Sequence, residues 1–256
     1  PLLTDEIDMA KITVITPTHR RPDLLFQCIK AVQKSTFTDY EHIVIGDSCP
    51  WAKRVCELFI DDTRIKYFET PIPHIWNAGA SGKNVGIHNA TTKYIVYCDD
   101  DNIMLPNHIE NMYNQLSSGT EICRTQLYEI NLDIGAGSIK QVLQRGLQYT
   151  LEGGRAHRND MQCIGHTVDA IKNVGYWNSA AEIDLDPSWP RTATSEDDYL
   201  IRKFKAKYGQ DFYTDLPDVS FLYYGRAACQ NIDTEYDNAL SEDTLFVYPD
   251  ITLQIK

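Results

Sequence analysis

One stretch decides the fold: Tyr94-Ile95-Val96-Tyr97, followed by Cys98-Asp99-Asp100-Asp101-Asn102. Its apolar half is rich in β-branched and aromatic residues, which predicts a strand that is covered on both faces. The acids that follow then emerge at the carboxyl edge of a sheet, where open α/β folds bind ligands. Three consecutive carboxylates repel one another unless a cation lies among them, and their hard oxygen atoms suit Mg²⁺ or Mn²⁺. The alternative is a solvated acidic turn, because Asp is a common turn residue.

Strand and helix patterns alternate on both sides of this stretch, which predicts an α/β fold with a mostly parallel central sheet flanked by helices. Strands are predicted at 12–16, 42–47, 65–68, 93–98, 121–130 and 219–224. Helices are predicted at 22–34, 51–59, 83–90, 106–116, 168–174 and 196–208. Residues 133–160 contain five glycines and resist assignment, so we expect a loop or hairpin there that covers a site.

Composition narrows the class of protein. With 256 residues the chain can bury a sizeable core, and its net charge is −12, from 24 basic and 36 acidic residues. This balance argues against a general nucleic-acid binder and against a polybasic membrane patch. The seven cysteines are scattered without a C-x-x-C pair, which is typical of a reduced, cytosolic-type protein.

These features favour a cytoplasmic location, with peripheral attachment to a membrane as the open alternative. The sequence contains no run of about 18 apolar residues, which a transmembrane helix would need, and no signal peptide is visible. Residues 1–8 precede Met9 and the first strand, so we expect them to be a leader or a remnant outside the domain.

Four groups of polar residues follow predicted strands or begin predicted helices. They are Thr16-Pro17-Thr18-His19 with Asp47, then Lys83-Asn84, then Asp99-Asp100-Asp101, and finally Ser195-Glu196-Asp197-Asp198. In a parallel sheet the first three groups come out at the same edge. The sequence therefore predicts one site.

The segments around these groups carry a family resemblance. They are Ile-Thr-Val-Ile-Thr-Pro-Thr-His-Arg-Arg-Pro (12–22), Val-Ile-Gly-Asp-Ser (44–48), Lys-Asn-Val-Gly-Ile (83–87) and Tyr-Cys-Asp-Asp-Asp-Asn-Ile-Met-Leu-Pro (97–106). In this order they resemble the family 2 glycosyltransferases of GT-A fold, which transfer sugars from nucleoside-diphosphate donors. The similarity extends over residues 10–225. It implies one catalytic domain at 9–230, with a nucleotide-sugar-binding half at 9–105, an acceptor-binding half at 106–230 and an acidic tail at 231–256.

The resemblance assigns the donor to the first half of the chain. Pro17, Thr18, His19 and Asp47 would hold its base and ribose, although Asp47 has an alternative as a turn-capping residue. Lys83 stands where relatives often carry Arg before Asn. The substitution loses bidentate geometry but keeps a positive charge near the diphosphate, unless Lys83 is simply a solvated residue at a helix start.

The resemblance also assigns the metal and the base. The Asp-x-Asp metal signature corresponds to Asp99-Asp100-Asp101, with Asp101 in direct contact with Mn²⁺ or Mg²⁺ and Asp99 on the ribose or on the metal through water. Asp100 could exchange roles with Asp99. Asp197 would be the general base, with Glu196 next. The alternative is that Ser195-Glu196-Asp197-Asp198 only caps a helix, since acids in a first turn complement the helix dipole.

The acceptor would face the second half of the chain. His166, Trp177 and Trp189 are candidate acceptor-binding residues, because aromatic faces suit sugar rings. The alternative is a structural role, since large aromatic side chains are mostly buried in the core and a lone His has many structural uses. The acceptor itself would be a glycan, free or linked to lipid or protein, as in polysaccharide or glycan biosynthesis. UDP is the favoured donor nucleotide by family frequency, with GDP and dTDP open.

We therefore predict a metal-dependent glycosyltransferase that inverts the configuration of the transferred sugar, as the resemblance implies. A metal-dependent phosphohydrolase or nucleotidyltransferase would also use clustered acids at a sheet edge. A non-catalytic nucleotide-sugar or glycan-binding module of the same fold is a second alternative. A Rossmann oxidoreductase is excluded because no G-x-G-x-x-G follows any strand.

Overall fold

The computed structural model describes residues 10–70, 79–133, 138–145, 163–178 and 196–224. The described strands are β1 (Ile12–Thr18), β2 (Tyr40–Gly46), β3 (Ile65–Glu69), β4 (Tyr94–Tyr97), β5 (Asn102–Met104), β6 (Ile122–Asp133), β7 (Ser138–Arg145), β8 (Ile164–Thr167) and β9 (Thr214–Tyr224). The described helices are α1 (Pro22–Gln33), α2 (Pro50–Glu57), α3 (Ala80–Asn89), α4 (His108–Ser117), α5 (Val168–Asn173) and α6 (Glu196–Tyr208).

The described strands form one mixed sheet in the order β3-β2-β1-β4-β8-β6-β9-β5, and β7 pairs with β6 at its side. The first four strands of this order are parallel to one another. Beyond β4 the sheet is mixed, because β8 is antiparallel to both β4 and β6, whereas β9 is parallel to β6. The carboxyl ends of β1, β2 and β4 therefore meet at one edge.

Helices cover both faces of the sheet, and successive residues of the central strands point to opposite sides. Val14 and Val96 pack in a buried cluster with Ile109 of α4. Their chain neighbours Ile15 and Ile95 pack in a different cluster that includes residues of α3 and α6. A third cluster joins α1 and α2 over β2. This arrangement explains why β1, β2 and β4 are almost continuously apolar.

Helix α3 lies unusually close to β1, and its glycines explain the approach. A Cβ atom at Gly86 would lie 2.6 Å from Ile15 Cγ2, and one at Gly82 would lie 3.0 Å from Pro17 Cβ. Gly79, with φ +96°, precedes the helix. The helix begins at Ala80, three residues before the predicted start, because this packing overrides the weak helix propensity of the glycine-containing segment.

The sequence patterns missed or shortened several elements, most of them in the second half of the chain. β8 and β5 were not predicted, since a four-residue strand containing Gly165 and a three-residue strand carry no periodic signal. β9 begins at Thr214, whereas the prediction began at residue 219, because a proline such as Pro217 argues against a strand. The pairing of β9 with β6 shifts its register on both sides of Gln126. β7, inside the unassigned segment 133–160, forms a hairpin with β6. No helix in the described ranges is long and apolar enough to cross a bilayer.

Candidate active site

The acidic motif forms a tight turn directly after β4. The backbone N–H of Asn102 donates to the Asp99 carbonyl at 3.1 Å, and the end of β4 is fixed by the Thr16 hydroxyl, which donates to the Cys98 carbonyl at 2.7 Å. Asp99 is 29% exposed, whereas Asp100 is buried. The turn therefore points Asp99 toward solvent and Asp100 into the protein.

Asp100 and Asp101 are held by neighbouring polar groups. Thr18 at the end of β1 donates its hydroxyl proton to Asp100 Oδ2 at 2.6 Å, and the Asn102 amide donates to Asp101 Oδ1 at 2.9 Å. Arg21, directly before α1, donates from Nη1 to Asp100 Oδ1 and to Asp101 Oδ2, each at 3.0 Å. Arg21 was not predicted as a site residue. The signal was present, because Arg20-Arg21 follow β1 at the edge that carries three acids.

Burial dominates the electrostatics of Asp100. It raises the pKa of this carboxyl to about 7, although the Arg21 guanidinium and the Thr18 hydroxyl act in the opposite direction. The neighbouring Asp101 carboxylate raises the same pKa further. Burial thus favours the protonated form of Asp100.

Lys83 lies at the centre of the site. Its side chain is only 3% exposed, and Nζ lies 3.5 Å from Asp99 Oδ1 and 3.9 Å from Asp197 Oδ1. The ammonium also lies 4.4 Å from the centroid of the Trp177 ring. Burial lowers the pKa of Lys83, but the Asp99, Asp197 and Glu196 carboxylates outweigh it, so that the pKa is raised above its ordinary value. Lys83 is therefore a permanent cation and not a solvated lysine at a helix start.

Glu196 and Asp197 begin α6 and bring the second acidic group to the same place. Glu196 is buried and Asp197 is 25% exposed, with its carboxylate facing Lys83. Lys203, two turns along α6, donates to the Tyr176 carbonyl and to Asn178 Oδ1, each at 2.6 Å, and so ties the helix to the segment after α5. Ser195, the predicted cap, lies outside the described residues.

A buried chain of hydrogen bonds supports Lys83 from beneath. The Trp177 indole N–H donates to the Tyr97 hydroxyl at 3.0 Å, and the Tyr97 hydroxyl is 2.7 Å from His166 Nε2. His166 Nδ1 is 2.9 Å from the Thr167 carbonyl, which can only accept, so Nδ1 carries the proton and Nε2 accepts from Tyr97. Burial lowers the pKa of His166 to about 4, which keeps the ring neutral. Asn84 fixes the Trp177 backbone through two further bonds of 3.0 and 3.1 Å.

Two of the three predicted acceptor residues belong to this buried layer. His166 and Trp177 are both buried, one layer behind the carboxylates. Trp189 lies outside the described residues.

The predicted donor residues line the edge beside the acidic turn. His19 Nδ1 donates to the Asp47 carbonyl at 2.7 Å, and the Asp47 N–H donates to the Thr18 carbonyl at 2.9 Å. The Asp47 carboxylate accepts from the Thr70 hydroxyl at 2.7 Å. Pro17 packs against the start of α3. Pro17, Thr18, His19 and Asp47 therefore lie together at the carboxyl ends of β1 and β2.

The family profile described as Glycosyl transferase family 2 matches residues 13–180, more than half of the chain. The chain belongs to glycosyltransferase family 2. The predicted family and enzyme class are thus confirmed, and the phosphohydrolase and nucleotidyltransferase alternatives are wrong.

Curated relatives of this glycosyltransferase carry the same enzyme class. The GalNAc(5)-diNAcBac-PP-undecaprenol β-1,3-glucosyltransferase of Campylobacter jejuni is 35% identical over 114 residues, which are 43% of this chain and 36% of that protein. Glycosyltransferase GlyG of Streptococcus pneumoniae is 31% identical over 109 residues, which are 41% of this chain and 35% of that protein.

Solved structures show the same fold at low sequence identity. TarS of S. aureus in complex with UDP-GlcNAc has a TM-score of 0.61 and 14% identity over 84% of this chain and 59% of that chain. The mannosyltransferase PcManGT of Pyrobaculum calidifontis in complex with GDP-Man and Mn²⁺ has a TM-score of 0.56 and 10% identity over 84% of this chain and 56% of that chain. The GT-A fold is confirmed. The chain spans less than two thirds of each of these four relatives.

The carboxylates of this glycosyltransferase fit a divalent cation only in part. Within the described ranges, no group of three or more His, Cys, Asp or Glu side chains could hold a metal by itself. Asp99, which is 29% exposed, and Asp101, which is 18% exposed, nevertheless offer hard oxygen atoms. Mg²⁺ is typically held by one or two carboxylates together with substrate phosphates, and this donor set matches that pattern.

Proposed function

We propose that this glycosyltransferase moves a sugar from a nucleoside-diphosphate donor to an acceptor hydroxyl and inverts its anomeric configuration. The observation that carries the proposal is the position of Lys83 between Asp99 and Asp197. The acidic turn belongs to the sheet edge of the donor half, and Asp197 begins a helix of the acceptor half. Because the buried Lys83 ammonium lies close to both Asp99 and Asp197, the donor site and the candidate base belong to one reaction centre.

The donor nucleotide would lie along Pro17, Thr18, His19 and Asp47, with its diphosphate beside Lys83. A carboxylate at Asp47 can accept a hydrogen bond from an imide N–H or from a ribose hydroxyl. UDP is the favoured nucleotide, since structures of TarS contain UDP and UDP-GlcNAc. GDP remains a candidate because the PcManGT structure is a complex with GDP-Man, and dTDP stays open.

Asp101, with Asp99, would hold a Mn²⁺ or Mg²⁺ ion that neutralises the charge of the departing diphosphate. PcManGT with Mn²⁺ supports this assignment. Lys83 adds a fixed positive charge on the same side. In relatives with Arg at this position the guanidinium is a planar fork, whereas the lysine ammonium is compact enough to stay buried over the Trp177 ring.

Asp197 would act as the general base. The acceptor hydroxyl gives its proton to the Asp197 carboxylate, its oxygen forms a bond to the anomeric carbon, and the bond from that carbon to the diphosphate oxygen breaks. The nearby ammonium of Lys83 favours the ionised form that can take up the proton. Glu196 is the second candidate, but its burial leaves it less accessible to an acceptor.

The acceptor is proposed to be a glycan, free or linked to lipid or protein. The Campylobacter relative is named for an undecaprenol-linked acceptor, which supports the lipid-linked class. His166 and Trp177 remain predictions as acceptor-side residues, and their burial favours a supporting role over direct contact with a sugar.

A thermal-shift panel tests the donor and metal assignments. UDP, GDP, dTDP and CMP are each measured with and without Mn²⁺ on the wild-type protein, on Asp101→Ala and on Asp39→Ala. The last variant is a control that removes an acid which pairs with Lys11 at 2.6 Å, away from the acidic turn. A ligand at 100 times its dissociation constant adds about 2.7 kcal/mol of stability. For a chain of this size we expect an increase of about 5–10 °C in Tm.

One diphosphate should stabilise the wild type and Asp39→Ala in a metal-dependent manner, and Asp101→Ala should lose the effect. The donor-site assignment fails if no nucleotide shifts any of the three proteins. Asp197→Asn should keep the nucleotide-induced shift but lose donor turnover by roughly 10²–10⁴-fold, measured as release of nucleoside diphosphate. Equal turnover by Asp197→Asn would remove Asp197 as the base, and no turnover by the wild type would favour the non-catalytic binding module.

A further inference from the structure

Arg21 places one guanidinium nitrogen between two carboxylates of the acidic turn. Its Nη1 lies 3.0 Å from Asp100 Oδ1 and 3.0 Å from Asp101 Oδ2. Asp101 is the carboxylate assigned above to the divalent cation. Arg21 therefore occupies Asp101 Oδ2, an oxygen atom of a carboxylate that the cation would use.

The chain holds Arg21 at this position through local structure. Arg21 directly precedes Pro22, the first residue of α1, and its backbone is non-helical, with φ −134° and ψ 62°. A guanidinium stays charged at all physiological pH values, so it provides a permanent counter-charge for a turn with three acids. Without such a charge the buried Asp100 would face Asp101 uncompensated.

Arg21 can leave this position more easily than Lys83 can leave its own. The Arg21 side chain is 24% exposed, so its movement does not require the core to open. Each acid also keeps a second partner when Arg21 moves, because Thr18 donates to Asp100 at 2.6 Å and Asn102 donates to Asp101 at 2.9 Å. The turn is thus supported in both states.

We propose that Arg21 competes with the divalent cation for Asp101 and thereby makes cation binding depend on the donor. The inference rests on the metal-dependent donor site proposed above. In the donor-free protein the guanidinium satisfies the carboxylate, and the cation must displace it. A nucleoside diphosphate completes the ligand set of the cation with its phosphate oxygens and offers the displaced guanidinium another anion. Cation and donor then bind cooperatively, and each raises the affinity for the other by the same factor.

The test is a titration with Mn²⁺ alone, followed by the electron paramagnetic resonance signal of the free ion at pH 8. Arg21→Met should bind Mn²⁺ at least about tenfold more tightly than the wild type, which corresponds to about 1.4 kcal/mol. Addition of UDP or GDP should raise the Mn²⁺ affinity by a smaller factor in Arg21→Met than in the wild type. Structural damage would weaken Mn²⁺ binding, so the sign of the change separates competition from damage.

Arg64→Met is the matched control. Arg64 is also partly exposed, at 31%, and pairs with Asp62 at 2.8 Å beside β3. Its removal should leave the Mn²⁺ affinity unchanged. A second variant, Arg21→Lys, keeps the charge but loses the planar fork, and should bind Mn²⁺ with an affinity between those of the wild type and Arg21→Met. It provides the measurement if Arg21→Met does not fold.

Two outcomes overturn the inference in distinguishable ways. If the Arg21 variants retain the circular dichroism spectrum of the wild type and bind Mn²⁺ equally or more weakly, Arg21 does not compete, and the metal assignment stands. If neither the wild type nor the variants bind Mn²⁺ with UDP or GDP present, both this inference and the metal part of the proposed function are wrong.

Discussion

The substitution Tyr97→Phe isolates the hydrogen-bond chain beneath Lys83. It removes one oxygen atom from a fully buried side chain and leaves the Trp177 indole N–H and His166 Nε2 without their partner. A buried polar group that loses its partner costs roughly 1–3 kcal/mol. We expect a total loss of about 3 kcal/mol in the free energy of unfolding, or about 6–12 °C in Tm.

Equilibrium urea denaturation of the wild type, Tyr97→Phe and Tyr94→Phe measures this loss. Tyr94 belongs to the same strand but is only half-buried, so its hydroxyl can exchange to water and its removal should change the stability by less than about 0.5 kcal/mol. Tyr97→Phe should also reduce donor turnover, because Trp177 no longer holds a fixed orientation under the Lys83 ammonium. Equal urea midpoints for the two variants would refute the assignment of Tyr97 as the link between Trp177 and His166.

Two further predictions concern packing and pH. Gly86→Ala should destabilise the protein by about 1–3 kcal/mol despite the better helix propensity of Ala, since the new Cβ would lie 2.6 Å from Ile15 Cγ2. An unchanged urea midpoint would show that α3 can move away from β1. Acid should destabilise the protein through buried histidines, because burial lowers the pKa to about 3 for His42 and His108 and to about 4 for His166. The unfolded chain takes up these protons below pH 6.5 and the folded chain does not, so stability falls by about 1.4 kcal/mol per pH unit for each ring. Asp100, with its pKa raised to about 7, has the opposite effect and offsets the contribution of one histidine. The net loss of stability is then roughly 3 kcal/mol per pH unit between pH 6 and 5. A urea midpoint that does not change over this range would contradict the buried, neutral state of the three histidines.

Most of the first half of the fold was predictable because strand and helix patterns alternate there between clear boundaries. β1, β2 and β4 are apolar on both faces since helices cover both sides of the sheet, and the sequence shows this directly. The second half depends on long-range pairing. β8 contains only Ile164–Thr167, and it is a strand because β4 and β6 flank it, which no local pattern reveals.

The residues of the candidate site were predictable by type but not by contact. Parallel strands bring Thr18, Asp47 and Asp99 to one edge, so their proximity follows from topology alone. The position of Lys83 does not, because it depends on how closely Gly82 and Gly86 let α3 approach β1. Arg21 was not predicted as a site residue, because the negative charge of the acidic turn was attributed to binding of a metal ion and not to pairing with a side chain of the protein.

The charges of the site explain why donor and cation would have to bind together. Within the described residues, five carboxylate side chains gather there against the two cationic side chains Arg21 and Lys83. The five are Asp99, Asp100, Asp101, Glu196 and Asp197. Even with Asp100 protonated, the edge keeps an excess of negative charge, and a nucleoside diphosphate brings more. Coulomb repulsion at these short distances is substantial even at an effective dielectric constant of about 20. A divalent cation that enters with the diphosphate would reduce this repulsion, whereas the cation alone meets a turn that Arg21 has already neutralised in part.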